Sequence, residues 1–197
     1  WFEDQLTYDN AVLPHALFVA GYALANKKYL DIATKASDFL IEATFNQNHF
    51  SFIGCNGWYK AGHNKASFDQ QPIEGASMVM MLNAAYNATQ NQRYLSLQRK
   101  AFDWFIGEND LQTPVYDFRT KGCCDGLTAS GVNLNQGAES IISFLLALLT
   151  VLESYPITDK VNETNITKTT AVKNPLKVEI EEITQGRSNP AKIENLL

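Results

Sequence analysis

Apolar positions along the chain alternate between two helical patterns. Residues 9–26 (DNAVLPHALFVAGYALAN) carry small and apolar side chains around most of the circumference, which predicts an inner helix buried on nearly all sides. Pro14 falls within its first turns, where a missing N–H costs least, so the regular helix is expected to begin close to it. Residues 28–45 are amphipathic instead. Leu30, Ala33, Phe39, Leu40 and Ala43 share one side and Lys28, Asp31, Lys35, Asp38 and Glu42 the other, as in an outer helix with one wet face. The pair recurs as an inner helix over 72–89, opened by Pro72, and an outer helix over 92–107, closed by Gly107. A third inner helix is expected over 136–153, but the segment after it (DKVNETNITKTTAV) has no helical period.

Sliding the sequence over itself by 65 positions brings these segments into register. Ala11 meets Ala76, Leu17 meets Leu82, Ala20 meets Ala85 and Asn26 meets Asn91. YLDIATKASDFLI (29–41) falls on YLSLQRKAFDWFI (94–106), and Gln71–Glu74 falls on Gln136–Glu139. A fixed period with matching apolar positions means one supersecondary unit used repeatedly, each copy burying its face on the next. Here the unit is a helical hairpin, so the fold class is all-α. Three acids, Asp9, Glu74 and Glu139, share the period and stand where inner helices begin. Two segments follow: a helical domain over 1–154 and an irregular tail over 155–197, punctuated by Pro156, Pro175 and Pro190. Within the tail, residues 176–183 (LKVEIEEI) alternate as a short strand would, and equally as a solvated extended segment would.

Charge and composition remove several functions. A net charge of -5 and a pI near 5.2, with no basic stripe, leave no electrostatic footprint for nucleic acid. The longest apolar run, Ile141 to Leu152, is far short of the roughly 20 residues of a membrane span, so no membrane partner is expected. The first residue is Trp1, compatible with a removed leader; localisation stays open, with the cytoplasm favoured. Cys55, Cys123 and Cys124 lack zinc-ligand spacing and read as reduced thiols, so neither a metal nor another cofactor is expected. The sequons at Asn87, Asn162 and Asn165 read as chance matches.

The long connections over 46–71 and 108–135 each end where an inner helix starts, which puts them and the three acids on one rim. Aromatic faces beside fixed amides and carboxylates suit a sugar. Glycoside hydrolysis needs in addition a pair of carboxyl groups, one protonated and one ionised. Asp69, Glu74 and Glu139 are the candidate catalytic groups. Glu3, Tyr8, Asp9, Trp58, Tyr59, Gln70, Gln71, Asp125, Asn135 and Gln136 are the candidate sugar-binding groups. The competing role for Asp9, Glu74 and Glu139 is to complement the dipole and orphan N–H groups of the helices they open. Asp69 and Asp125 could likewise only organise turns, and Trp58 and Tyr59 only pack the loop. No GxSxG, P-loop or strand-borne GxGxxG is present, so acyl transfer and nucleotide use lack support. His15, His49 and His63 are scattered.

Three blocks carry a resemblance: Trp1 to Pro14 (WFEDQLTYDNAVLP), Phe52 to Glu74, and Asp125 to Ser140. They resemble a bacterial family of six-hairpin glycosidase-like proteins, often labelled glycosyltransferase and often found among mannoside-degrading genes. The match covers about residues 1 to 153. It implies an (α/α)6 toroid whose inner helices surround a sugar-binding cavity. This chain would supply the C-terminal part only, about five helices of an incomplete ring followed by the irregular tail. The expected function is that of a carbohydrate-active, glycoside-hydrolase-like protein whose ligand is an oligosaccharide, with mannose-containing chains among the candidates; an enzyme is expected of the full-length protein, whereas the activity of this fragment alone is left open. Two alternatives stand beside it. A sugar epimerase or isomerase on the same fold would need a general base such as His15 or His49 facing the cavity. A non-catalytic repeat module would bind a glycan or a protein, with self-association through the uncovered edge of the ring.

Overall fold

The computed structural model describes residues 1–155; the tail and the strand expected at 176–183 lie outside the described residues. Five helices appear among them: α1 (Val12–Ala23), α2 (Lys27–Thr44), α3 (Pro72–Thr89), α4 (Gln92–Asp103) and α5 (Ala138–Ser154). Short antiparallel pairs stitch the connections. β1 (Gln5–Leu6) pairs with β4 (Tyr59–Lys60), β2 (Phe45–Asn46) with β3 (His49–Phe50), and β5 (Gly126–Thr128) with β6 (Gly131–Asn133).

The hairpins repeat down to their caps. Both outer helices open on an asparagine at the same place in the period: Asn26 Oδ1 accepts from Tyr29 N–H at 3.2 Å, and Asn91 Oδ1 from Arg93 N–H at 3.0 Å. Just before each, Ala25 (φ 49°) and Gln90 (φ 58°), also 65 apart, turn the chain through the left-handed region. The α1–α2 turn is tight because Gly21 stands where a Cβ would meet Leu30 Cδ2 at 2.7 Å. Past Asp103, the second outer helix tightens into a 3-10 turn over Trp104–Ile106 and stops at Gly107, as the sequence requires.

Inner helices α1, α3 and α5 lie side by side, with α2 against α1 and α4 against α3. Being flanked on both sides, α3 is buried around most of its circumference; its buried residues run from Pro72 through Glu74, Ser77, Met78, Val79 and Met81 to Ala85. The first inner helix differs from expectation. It begins at Val12 rather than near residue 9, and within it only Pro14, Phe18 and Gly21 are buried, while Val12, Leu13, Val19 and Tyr22 are exposed. The physical reason is that its neighbours among the described residues, α2 and α3, cover one side. Exposure of Ile142, Leu145, Leu146 and Leu149 on α5 has the same cause.

The long connections contribute to the core as much as the helices do. Phe50 stacks on Phe52 (ring centroids 5.5 Å), which meets Trp104 edge-on at 5.4 Å, and Trp104 meets Phe105 at 5.2 Å. Phe105 then meets Phe144 of α5, which stacks on Tyr116 at 4.1 Å. These aromatic pairs anchor both loops to α3, α4 and α5 and so fix the rim. Gly126 completes the clamp. Its φ of +145° is open to glycine alone, and a Cβ there would lie 2.0 Å from Gln70 O, where the strands of the two connections touch.

Candidate functional site

Asp9, Glu74 and Glu139 come together at the end of the inner layer where α1, α3 and α5 begin, but they face different ways. Glu74, in the first turn of α3, is 6% exposed and makes no cap to its own helix. Its carboxylate reaches across to the turn ahead of α1. There Oε1 accepts from the Asp9 N–H, and Oε2 accepts from Asn10 Nδ2 at 3.3 Å. Asn10 in turn ties the turn to itself, accepting from Thr7 N–H at 3.0 Å and donating to Thr7 O at 2.9 Å. Burial pushes Glu74 up to about 7, against the lowering effect of the Asp9 and Asn10 donors, with the Asp9 charge adding to the rise.

Asp9 itself is half-buried and held in the left-handed region (φ 54°). Its carboxyl lies above the ordinary aspartate value because burial, followed by the Glu139 charge, outweighs the Ser77 hydrogen bond and the His15 ring. Ser77 sits one turn below Glu74, where its hydroxyl donates to Glu74 O at 3.3 Å, and α3 holds the backbone of Asp9 through Glu74. Burial places His15 below its ordinary value, opposed by the Asp9 charge. The ring is therefore neutral at pH 7 and able to accept a proton.

Glu139 is exposed at the head of α5 and belongs to a second feature, a cleft of about 440 Å³ between the loop ends. Asp69, Gln71, Asp125 and Cys55 line it with Glu139. Asp69 is another left-handed residue (φ 53°), and its backbone carbonyl accepts from Cys55 N–H at 3.0 Å. Asp125 is committed to the loop. It accepts from Gly137 N–H at 2.8 Å, Ser140 Oγ at 2.6 Å and Asn135 Nδ2, and although burial opposes it these donors hold its carboxyl below the ordinary value. Asp125 thus fixes the entry to α5, with Asn135 as its partner, while Gln136 donates to Asp117 at 3.1 Å.

The aromatic candidates divide similarly. Tyr8, 61% exposed, and Trp58 face each other at 6.4 Å between ring centroids, one residue ahead of Asp9 and at the turn before β4. Tyr59 lies within β4 opposite Leu6, holding the N-terminal segment against the loop. Glu3 is exposed ahead of β1. Gln70 is fully buried, with Oε1 accepting from Phe52 N–H (2.9 Å) and Trp104 Nε1 (3.0 Å), and Nε2 donating to Ser67 O (2.8 Å) and Asp110. Every valence of that amide is spent inside the protein. His49 is likewise tied to Asp110 at 2.9 Å.

Sequence reasoning passed over Asn10, Ser77 and Asp110. Asn10 adjoins Asp9 and Ser77 lies one turn from Glu74, so helical spacing could have found Ser77; nothing in the sequence marks Asp110. A further groove of about 550 Å³ runs down the face of the inner helices from His15 past Phe18 and Tyr22 of α1 to Asn83 and Asn87 of α3. Asp9 lines neither cavity, but the charge of Glu139, from the cleft, and the ring of His15, from the groove, both act on it. Among the described residues no group of acids, histidines and cysteines could hold a metal ion, and no helix is long and apolar enough to cross a membrane.

No family model matches the chain, and no curated protein does. Solved structures do. A family 76 α-mannanase of Bacteroides thetaiotaomicron superposes with a TM-score of 0.58 at 19% identity over 76% of this chain and 39% of that one. An inactive variant of an α-1,6-mannanase of Salegentibacter sp. HEL1_6, in complex with α-1,6-mannotriose, gives 0.59 at 10% identity over 78% and 43%. Cellobiose 2-epimerase from Spirochaeta thermophila gives 0.60 at 18% identity over 78% and 42%. The fold is that of the six-hairpin glycosidase-like toroids. The chain spans about two fifths of the length of these structures.

Proposed function

We propose that the rim is part of the sugar-binding surface of a glycoside-hydrolase-like toroid, and that its ligand is a neutral, mannose-containing oligosaccharide. The observation that carries this reading is the cleft lined by Asp69, Gln71, Asp125 and Glu139, with the Glu139 charge acting on Asp9, and with the exposed Tyr8, paired with Trp58, next to Asp9 in the chain. Aromatic faces accept the apolar face of a pyranose, and carboxylates accept its hydroxyls. The α-1,6-mannotriose held by a structural neighbour supports the ligand class. Asp69 and Glu139, which line the open cleft, are the candidate acid–base groups of the complete site. Calorimetric titration with α-1,6-mannotriose and with cellotriose tests the proposal. Preferential binding of the mannoside that Glu139→Gln and Asp69→Asn each weaken by about tenfold is the expected result; equal affinity of both variants and the parent would overturn it.

A second reading is favoured by one specific observation. His15 lines the inner groove, neutral and next to Asp9, whereas His49 is occupied by Asp110. A base in that place suits proton abstraction beside a sugar carbonyl, as an epimerase requires. Deuterium uptake from heavy water at C2 of a reducing disaccharide, abolished by His15→Gln, would decide for it.

A further inference from the structure

The two acids with strongly built surroundings at the rim, Asp9 and Glu74, are coupled through the backbone. Glu74 is buried and its carboxylate is directed at the Thr7–Asn10 turn, where it accepts from the Asp9 N–H and from Asn10 Nδ2. Both of its oxygens thus have partners, and those partners lie on the segment that carries Tyr8 and Asp9 to the rim. Asp9 is half-buried, and the charges of Glu139 at the head of α5 and of His15 in α1 act on its carboxyl. Aspartate enters the left-handed region more readily than most residues. Glu74 fastens the turn there, together with the Val12 N–H, which donates to Asp9 O at 3.1 Å.

We propose that Asp9 is the carboxyl group of this pair that contacts the sugar, and that Glu74 is a positioning residue that holds Asp9 and its neighbour Tyr8 in place. The proposal rests on the sugar-binding function above and divides the work within that site. It separates two acids that the 65-residue register makes equivalent in sequence: the same period places one in the turn ahead of an inner helix, with its side chain half in solvent, and the other inside the first turn of the next, sealed under that turn. The periodic position is shared, while the environment, and with it the role, is not.

The replacement that keeps the acceptor separates position from chemistry. In Glu74→Gln the amide oxygen still accepts the Asp9 N–H while the bond from Asn10 Nδ2 is given up; in Glu74→Ala both are lost. With the full 197-residue chain, the Asp9 amide proton is expected downfield in the NMR spectrum, to stay there in Glu74→Gln and to move upfield in Glu74→Ala. Affinity for α-1,6-mannotriose is expected to survive Glu74→Gln within about twofold and to fall by about tenfold in Glu74→Ala and in Asp9→Ala. An unmoved Asp9 amide in Glu74→Ala would overturn the positioning role. So would an Asp9→Ala variant that binds as the parent does while Glu74→Gln does not. Should the parent chain bind no mannoside, the sugar-binding function falls, yet the amide proton still reports whether Glu74 holds Asp9. Ser77→Ala guards against a folding defect: it leaves the Glu74 contact intact, so the Asp9 amide stays downfield while the titration of the Asp9 carboxyl moves up.

Discussion

Replacing Glu74 by Gln should make the protein more stable relative to its parent as the pH rises, by about 3 kcal/mol between pH 4 and pH 8. Burial moves the Glu74 carboxyl from an ordinary value of 4.5 to about 7. A carboxyl whose folded pKa is raised is bound by its proton more tightly in the folded than in the unfolded chain. Below pH 4.5 both states are protonated and the parent pays no penalty. Between 4.5 and about 7 the unfolded chain ionises first and stability declines; above 7 both are ionised and the loss is complete. Glutamine keeps an acceptor for the Asp9 N–H without titrating, so it escapes the decline. Urea unfolding of both proteins at pH 4, 6 and 8 measures the difference directly. A difference independent of pH would mean that Glu74 is ionised and solvated, contrary to the geometry of its site.

Gln70→Ala should cost about 3–5 kcal/mol, since it strips the acceptor from two buried donors, Phe52 N–H and Trp104 Nε1, and the donor from Ser67 O and Asp110. The backbone of Gln70 meanwhile pairs with Leu127 in both directions, at 3.0 and 2.9 Å. This residue therefore joins the first long connection, the second, and the aromatic core at once. Denaturant unfolding followed by tryptophan fluorescence reads the loss and the release of Trp104 together. A cost below about 1 kcal/mol would show that the buried amide is dispensable.

The contrast between these two residues shows where sequence reasoning reaches and where it stops. The five helices were legible because a hairpin unit repeated in register leaves the same apolar positions, and even Asn26 and Asn91 cap at equivalent places. The convergence of Asp9, Glu74 and Glu139 on one rim was legible from the same register. Which way each acid faces was not, because periodicity locates a Cα on a helix and says nothing of the neighbour its side chain reaches. Glu74 turned inward to the Asp9 N–H instead of capping α3. Gln70 stood between Asp69 and Gln71 in a run that read as a set of sugar-binding groups, yet Asp69 and Gln71 line the cleft while the Gln70 side chain goes into the core. A buried amide of this kind leaves no pattern, since its four partners come from Phe52, Ser67, Trp104 and Asp110, spread over the two connections and the 3-10 turn. The exposed face of α1 was missed for a related reason. Apolar content around a helix predicts burial on all sides, but the cover must come from elements that lie beside it, and here α2 and α3 lie on one side only.

Stability effects at Glu74 and Gln70 concern the frame of the rim and not what the rim holds. Sugar binding at the rim is tested most directly by chemical-shift mapping of the 15N-labelled chain as α-1,6-mannotriose is added. Saturating shifts confined to Tyr8, Asp9, the Trp58 indole, Asp69 and Glu139 are the predicted result. Shifts that cluster elsewhere, or a spectrum that does not change, would contradict it.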